Sequence, residues 1–309
     1  MKTGIAIHGG AGTILKSKMT ADKESAYKTA LENALLAGNE ILLKKGSALD
    51  AVVSSVRIME DNPLFNAGKG SVFTNDGTHK MDASVMDGLT LNAGCVTAVS
   101  NIKNPVLLAR VIMDKSDFAF LSGKGAEDFA LLNDLKFEND EYFFTEHRYL
   151  QYQNALREGK HALDHSGIED KKFGTVGAVA LDYEGNLAAA TSTGGMTNTK
   201  FGRIGDSPVI GAGTYADNNS CAVSCTGDGE YFIRTVAAYD VCAMMHYGNL
   251  SLKEACNAVI HKKLVSVGGE GGLIAIDKNC NIEMVFNSEG MYRSCIKEGK
   301  DIEVKIYKN

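Results

Sequence analysis

The sequence predicts an α+β protein in which antiparallel sheets are covered by helices. Short apolar strand patterns separated by tight turns occur in both halves of the chain, and helix-spaced patterns lie between them. Among 309 residues, 33 glycines against 3 prolines indicate tight backbone turns rather than flexible linkers. A doubly wound parallel sheet would require a regular alternation of strand and helix, which this chain lacks.

The first half opens with a strand and two helices. Residues 4–8 form an apolar strand pattern that runs into a glycine-rich turn at 8–12. Apolar residues at helical spacing predict a helix over 23–45. Ser47 is placed to cap a second helix, which should end before Pro63.

The rest of the first half predicts an antiparallel meander followed by helices. Apolar runs broken by Asn-Asp-Gly and Asp-Gly turns favour hairpin connections. We expect strands at 71–74, 80–85 and 89–100, and helices at 105–113 and 125–132.

A polar stretch separates the two halves. From about 139 to 174 the chain is charged and shows little apolar periodicity, which predicts a solvated connector. It is the best boundary candidate, dividing the chain into segments 1–174 and 175–309.

The second half returns to buried strands. We expect strands at 175–182 and 187–191, helices at 230–247 and 251–265, and a strand pair at 272–277 and 282–287 that closes the chain.

Charge and cysteine content narrow the class of protein. With 32 basic and 38 acidic residues the net charge is −6, so no surface for nucleic acid or anionic membrane is indicated. No apolar run of about 18 residues predicts a membrane helix, and no signal-peptide pattern is present, so we expect a cytoplasmic protein with small-molecule partners. Seven cysteines without a CxxC pair predict reduced, mostly buried thiols.

The turn His8-Gly9-Gly10-Ala11-Gly12 could place backbone N–H groups around a phosphate. It lacks both the G-x-G-x-x-G spacing and the lysine of a P-loop. We therefore expect it to serve tight packing, with His8 in a structural role and no organic cofactor.

Gly174 and Thr175 allow two interpretations. A threonine at the start of a strand is ordinary, because β-branched residues favour strands. The alternative is that the Gly174–Thr175 bond cleaves itself, since a small residue leaves the preceding carbonyl open to the hydroxyl. Cleavage would free an α-amino group with a pKa of about 7.7–8.0, suited to act as a base toward its own hydroxyl.

Two further features could bind a substrate. Thr226 and Gly227 could donate hydrogen bonds to a developing oxyanion, although they could equally form an isolated tight turn. Arg203 and Asp206 lie on a glycine-bracketed loop and could bind the carboxylate and ammonium of an amino acid. A plain surface ion pair is the alternative.

Several separated motifs in this order carry a family resemblance. They are GTVGAVALD at 174–182, STGGMTN at 192–198, GRIGDSP at 202–208 and SCTGDGE at 224–230, together with HGGAG at 8–12, PLFNAG at 63–68 and MDASVMDG at 81–88. Together they strongly resemble the plant-type L-asparaginase/isoaspartyl aminopeptidase family of N-terminal nucleophile hydrolases.

The resemblance implies a role for each matching residue. Thr175 would be the nucleophile released by cleavage after Gly174, with Thr193 beside it. Thr226 and Gly227 would form the oxyanion hole. An L-aspartyl group would be bound by Arg203 and Asp206, with help from the Gly229 carbonyl, and Asn66 would help to position Thr175. The activity implied is hydrolysis of L-asparagine and β-aspartyl peptides through an acyl-enzyme. The role of Asp228 is left open.

The resemblance also implies an architecture. It is a four-layer αββα sandwich of two mainly antiparallel sheets, cleaved into an α subunit (1–174) and a β subunit (175–309) of one domain and assembled as (αβ)2. Backbone carbonyls would hold a structural sodium ion, from Met59, Glu60, Asn62, Phe65, Ala67 and Lys69.

Three alternatives remain. A glycosylasparaginase would have aspartate before the nucleophile, where this chain has Gly174. A taspase-like endopeptidase would not need the Arg203 and Asp206 pair. A non-catalytic relative would bind an amino acid in the same pocket without cleaving itself.

Overall fold

The computed structural model describes residues 2–158 and 174–308. Its strands are β1 Gly4–Gly12, β2 Met81–Asp87, β3 Ala93–Val99, β4 Phe120–Ser122, β5 Thr175–Leu181, β6 Leu187–Thr193, β7 Thr214–Ala216, β8 Cys221–Gly227, β9 Gly271–Asp277, β10 Ile282–Phe286, β11 Gly290–Lys297 and β12 Glu303–Tyr307.

The helices are α1 Ala21–Leu43, α2 Ala48–Glu60, α3 Pro105–Lys115, α4 Gly123–Leu132, α5 Asp140–Phe143, α6 Glu146–Arg157, α7 Gly229–Thr235, α8 Ala237–His246 and α9 Leu252–Ala258. A π-helical turn, Val259–Leu264, continues α9. Ser47 caps α2 by accepting a hydrogen bond from the Asp50 N–H group, which confirms the helix start predicted from the sequence.

The strands form two sheets, which confirms the α+β class. One sheet has eight strands in the order β12-β11-β1-β5-β6-β2-β3-β4, and the other has four in the order β10-β9-β8-β7. Within the sheets, β3 pairs with β4 in parallel and the other named strand pairs are antiparallel. Strand β5, which begins at Thr175, thus lies inside the larger sheet, between β1 and β6.

The alternation of residues along β1 divides its side chains between two cores. Ile5 and Ile7 pack with Leu31 and Leu35 of α1 on the helix side of the larger sheet. Ala6, between them, belongs to a second core that also contains residues of the smaller sheet.

The second core lies between residues of the two sheets, and many of its residues are small. Ala6, Ala189 and Ala222 are fully buried there, as are Ile274 and Ile276. Because alanine adds only one methyl group, the backbones of the two sheets can approach closely at these positions. A third core joins β8 and β9 to α8 and α9.

The strand predictions for residues 71–100 were wrong in part. Residues 71–74 form no strand, because their backbone groups serve a loop: the Val72 N–H group donates to Asn66 Oδ1 and the Thr74 N–H group to the Thr78 carbonyl. The predicted meander is therefore a hairpin of β2 and β3, and β6 occupies the other edge of β2.

The expected helix over 230–247 is broken into two. Val236 adopts a left-handed conformation with φ of 51°, which ends α7 before α8 begins. Nor does the strand pair at 272–287 close the chain, because β11 and β12 follow it and extend the larger sheet beyond β1. Strand β11 was not predicted because the side chains of Arg293 and Ser294 are buried, and polar residues in a core interrupt the apolar pattern of a strand. Their partners are backbone carbonyls.

The expected connector also differs in its first part. Residues 140–157 form α5 and α6, and only the remainder of the predicted connector, 159–173, lies outside the described residues. Among the described side chains of α6, Arg148 and Ala155 are buried, so the apolar periodicity of an ordinary helix is missing. Arg148 Nε donates to the Gly70 carbonyl and fixes α6 to the loop after α2.

Two glycines offer a matched test of helix packing. A Cβ atom at Gly38 of α1 would lie 2.3 Å from Ser55 Oγ and 2.8 Å from the Ala51 carbonyl oxygen, whereas Gly125 of α4 has open space. We expect Gly38→Ala to lower the free energy of unfolding by about 1–3 kcal/mol through overpacking. Gly125→Ala should raise it by about 0.5–1 kcal/mol through helix propensity. Urea unfolding of both variants measures the difference, and a stabilised Gly38→Ala variant would contradict the packing of α1 on α2.

Candidate active site

Strand pairing places two threonines side by side. Thr175 begins β5, Thr193 ends β6, and the two residues are direct partners in the ladder. Thr175 Oγ1 donates to Thr193 Oγ1 at 3.4 Å, and Thr193 Oγ1 donates to the Gly174 carbonyl at 3.2 Å. The hydroxyl of Thr193 therefore connects the hydroxyl of Thr175 to the carbonyl that precedes it.

Asn66 supports this arrangement from the loop after α2. Its Nδ2 atom donates to the Gly195 carbonyl at 2.7 Å, and its backbone carbonyl accepts from the Gly194 N–H group at 3.0 Å. The Gly195 N–H group in turn donates to Thr193 Oγ1 at 3.1 Å. A Cβ atom at Gly174 would lie 2.3 Å from Asn66 Cβ, so these two residues are in close contact.

Thr226 and Gly227 end strand β8, which packs against β5. Thr226 is fully buried, and its Oγ1 atom accepts from the Ala11 N–H group at 3.2 Å. Because that contact uses an oxygen lone pair, the hydroxyl hydrogen of Thr226 stays available as a donor. Gly227 has φ of 153°, and a Cβ atom there would lie 2.5 Å from the Glu270 carbonyl oxygen, so the position requires glycine.

Arg203, Asp206 and Gly229 meet at one place. A Cβ atom at Gly229 would lie 2.9 Å from both Arg203 Nη2 and Asp206 Oδ1, so the backbone of Gly229 lies against both side chains. Arg203 binds Glu230 through two hydrogen bonds, Nε to Oε1 at 2.7 Å and Nη2 to Oε2 at 2.6 Å. The sequence motif contained Glu230, but its role as the partner of Arg203 was not foreseen.

Burial and neighbouring charges together shift the pKa values of the acidic residues around Arg203. It raises the pKa of Asp206 to about 7, against the opposing attraction of Arg203. Asp206 Oδ2 is buried and has no hydrogen-bond partner within the described parts of the chain. Burial also acts to raise the pKa of Glu230, but hydrogen bonds and charge from Arg203 outweigh it and lower the value to about 2. The pKa of Asp228, which is hydrogen-bonded to Glu230, is raised to about 7 by burial and by that neighbour.

A cavity of about 570 Å³ is lined by Arg203 and by the glycine pair that follows Thr193. Its lining includes Gly194 and Gly195 beside Thr193, together with Asp82, Phe201 and Arg203. A second hollow is lined by Arg203 and Glu230 as well. The site is thus open to a small molecule on the side where Arg203 lies.

The loop at 59–69 can be tested for a fit to a hard cation. Gly68 has φ of 53°, and a Cβ atom there would lie 2.4 Å from the Glu60 carbonyl oxygen; one at Gly70 would lie 2.0 Å from that of Phe65. Glycine at both positions therefore brings the chain into contact with the Glu60 and Phe65 carbonyls, and backbone oxygen is the donor type that sodium accepts. These two carbonyls fit the ion in their chemical type. In residues 2–158 and 174–308, no group of three or more His, Cys, Asp or Glu side chains is placed to hold a metal.

Comparison with known proteins assigns the chain to a family. A family model described as asparaginase matches residues 1–306, so the chain belongs to that family. The isoaspartyl peptidase of Escherichia coli (strain K12) is 53% identical over 310 residues, which cover 99% of this chain and 97% of that protein. A Salmonella typhimurium isoaspartyl peptidase is also 53% identical, over 99% of each chain. A probable isoaspartyl peptidase/L-asparaginase 2 of Arabidopsis thaliana is 40% identical over 98% of each.

No helix among the described residues is long and apolar enough to span a bilayer. All seven cysteines lie in the described parts of the chain and are free thiols, and six of them are buried, as the sequence predicted.

Proposed function

We propose that this chain is a self-cleaving threonine amidohydrolase that releases L-aspartate from β-aspartyl dipeptides and L-asparagine. The observation that carries the proposal is the hydroxyl pair of Thr175 and Thr193, aligned with the Gly174 carbonyl. Relatives that are 53% identical over almost the whole chain bear the name isoaspartyl peptidase, which supports the substrate class.

Self-cleavage begins with attack of Thr175 Oγ1 on the Gly174 carbonyl carbon. The C–N bond to Thr175 breaks, the nitrogen takes a proton, and an ester joins Gly174 to the Thr175 oxygen. Water then hydrolyses that ester and leaves a carboxylate on Gly174 and a free α-amino group on Thr175. Thr193 supports the first step because its hydroxyl donates to the carbonyl under attack.

Substrate hydrolysis uses the same oxygen. The α-amino group of Thr175 removes the proton of its own hydroxyl, and the oxygen attacks the side-chain carbonyl of the aspartyl group. Thr226 and the Gly227 N–H group donate to the oxyanion. The amine or ammonia leaves with a proton, and water releases aspartate from the acyl-enzyme.

The aspartyl head is bound by Arg203 through its α-carboxylate and by Asp206 through its α-ammonium, with the Gly229 carbonyl as a further acceptor. The close contact of Gly229 with both side chains supports this division of roles. Asn66 positions Thr175 through its contacts with Gly174 and the 194–195 turn.

The finer architecture is part of the same proposal. One core joins helices to the larger sheet, a second joins the two sheets, and a third joins the smaller sheet to helices. This order of layers supports an αββα sandwich. We further propose subunits of 1–174 and 175–309 that assemble as (αβ)2, on the basis of the family resemblance. Free buried thiols support a cytoplasmic location. A sodium ion, when bound, would stiffen the loop through the backbone carbonyls of Met59, Glu60, Asn62, Phe65, Ala67 and Lys69.

Self-cleavage can be followed on a denaturing gel. We expect the purified protein to separate into fragments 1–174 and 175–309, and Thr175→Ala to stay whole because it has no nucleophile. Thr193→Val should slow cleavage by about 100-fold, since it loses the donor to the Gly174 carbonyl. Thr193→Ser is the control and should cleave. Processing of Thr175→Ala at the same bond would disprove the assignment of the nucleophile.

The proposed contact with the α-ammonium predicts a sharp substrate preference. Acetylation of the α-amino group of a β-aspartyl dipeptide removes the charge that faces buried Asp206. We expect kcat/KM for the acetylated peptide to fall by about 100-fold or more, the scale of breaking a buried charge pair. Aspartate or N-acetylaspartate release measures both rates, and equal rates would exclude the contact.

The pKa of Asp206 predicts the acid side of the pH profile. Below a pH of about 7 the carboxyl of the free enzyme takes up a proton and no longer attracts the α-ammonium. The α-amino group of Thr175, with an unperturbed pKa of about 7.7–8.0, is protonated in the same range. The acid limb of kcat/KM should therefore approach a slope of two, while that of kcat stays near one. Identical slopes in the two profiles would contradict the role of Asp206.

A further inference from the structure

A buried series of hydrogen bonds begins at the backbone of the nucleophile. His8 is fully buried, and its Nδ1 atom lies 3.0 Å from the Thr175 carbonyl oxygen. Its Nε2 atom lies 2.9 Å from Ser224 Oγ, which lies 2.7 Å from Thr191 Oγ1. These residues come from β1, β5, β8 and β6, so the series passes from the larger sheet to the smaller one and back.

The series continues to the loop that carries Asp206. Thr214 Oγ1 donates to Thr191 Oγ1 at 2.5 Å, and Ser84 Oγ lies 2.8 Å from Thr214 Oγ1. Ser84 Oγ also lies 2.6 Å from the carbonyl oxygen of Ser207, the residue after Asp206. The side chains of the series, from His8 through Ser224, Thr191 and Thr214 to Ser84, are all fully buried.

The direction of these bonds follows from their ends. A carbonyl only accepts, so His8 must carry its proton on Nδ1 to bind Thr175. Burial lowers the pKa of His8 to about 3, so the ring is neutral and Nε2 accepts from Ser224. Ser224 then accepts from Thr191, and Thr191 accepts from Thr214. From Thr214 to the Thr175 carbonyl each step therefore has a donor and an acceptor, and the series is polarised toward that carbonyl. The single hydroxyl hydrogen of Ser84 serves either Thr214 or the Ser207 carbonyl.

The His8 side chain reaches Thr175 beyond the end of the β1–β5 pairing. The pairing of β1 with β5 ends at His8 and Gly177, before Thr175 is reached, and β1 is irregular between His8 and Ala11. The imidazole spans the interval and gives the Thr175 carbonyl its donor. A Cβ atom at Gly177 would lie 2.4 Å from His8 Nε2 and 2.0 Å from Ser224 Oγ, so glycine is required for the two side chains to meet.

We propose that His8 is a positioning residue for the nucleophile, and that the hydroxyl series behind it links Thr175 through Ser224 and Thr191 to Thr214. The inference rests on the proposed function. Cleavage removes the covalent bond that holds Thr175 from the N-terminal side, and chain ends are mobile unless they are tied down. The ladder to β6 then holds one side of the new terminus, and His8 holds its carbonyl on the other.

Two substitutions at His8 separate positioning from packing. His8→Leu fills a similar space but leaves the Thr175 carbonyl without its donor, and His8→Asn keeps an N–H donor near the position of Nδ1. We expect His8→Leu to lower kcat per cleaved site by about 100-fold, with KM within about twofold, because a small misplacement of a reacting atom is that costly. His8→Asn should recover at least about tenfold of the loss. A purely structural role would lower the thermal midpoint in both variants without this recovery of kcat.

The middle of the series gives a test that does not disturb His8. Thr191→Val keeps the shape of the side chain and removes the hydroxyl, whereas Thr191→Ser keeps the hydroxyl. We expect Thr191→Val to lower kcat/KM by about tenfold, the scale of one hydrogen bond, and Thr191→Ser to stay near the parent. Should His8→Leu fail to fold, this pair decides the matter. A folded, cleaved Thr191→Val protein with unchanged kcat/KM would overturn the proposed link.

A readout without substrate distinguishes this inference from the proposed function. In ¹⁵N spectra of histidine-labelled protein, His8 should appear as the neutral Nδ1–H tautomer throughout about pH 5–8, below which its titration is expected. The opposite tautomer would overturn the inference even in an active enzyme. A wild-type protein with the expected tautomer that releases no aspartate would instead contradict the proposed function alone, and self-cleavage rates of the His8 variants would then test positioning.

Discussion

The pairing of β5 with β6 is the constraint on which the candidate site depends. Thr175 and Thr193 face each other because the ladder aligns the first residue of one strand with the last residue of the next. Neither strand lies at an edge, since β1 and β2 flank them. Thr175 is paired in the ladder on the β6 side, and the His8 side chain of β1 contacts its carbonyl on the other side.

The ion pair that Arg203 forms with Glu230 competes with the binding of a substrate carboxylate. Arg203 already has a carboxylate partner in Glu230, in the two-pronged geometry that a substrate carboxylate would use. An aspartyl group that binds Arg203 must replace Glu230 or share the guanidinium with it. The affinity gained is then the difference between two ion pairs rather than the full strength of one. Asp206, with an unpaired buried oxygen, is the member of the cluster with most to gain from an arriving cation.

Local patterns predicted much of this protein, and tertiary contacts account for the rest. Gly174 with Thr175, the 202–208 loop and the 224–229 turn could be singled out because chemistry requires those residue types, and family motifs joined them into one site. The pairing of Thr175 with Thr193, and the contact of Gly229 with Arg203 and Asp206, depend on the tertiary fold, which no local pattern contains. The histidine in the first glycine turn was expected to be structural, and only the folded chain reveals its contacts with Thr175 and Ser224.

Two of the elements that were missed, β11 and α6, share a physical cause. Strand β11 and helix α6 bury arginines whose partners are backbone carbonyls, so hydrophobic periodicity is absent where burial is nevertheless present. The break between α7 and α8 at Val236 could not be foreseen, because valine rarely adopts a left-handed conformation and tertiary packing has to impose it. Where hydrogen bonds from buried polar side chains fix a helix or strand in place, hydrophobic periodicity in the sequence does not predict it.

The contact between Gly174 and Asn66 gives the proposed self-cleavage a specificity of its own. Asn66 leaves no space for a side chain before Thr175, and it also holds the turn that orients Thr193. A larger residue at position 174 would displace Asn66, and with it the turn that holds the Thr193 hydroxyl against the bond to be cleaved. The bond between Gly174 and Thr175 is thus a substrate within the same chain, and Asn66 contacts it as a pocket residue would contact a bound substrate. The size of residue 174 matters for a single reaction, the cleavage that follows folding.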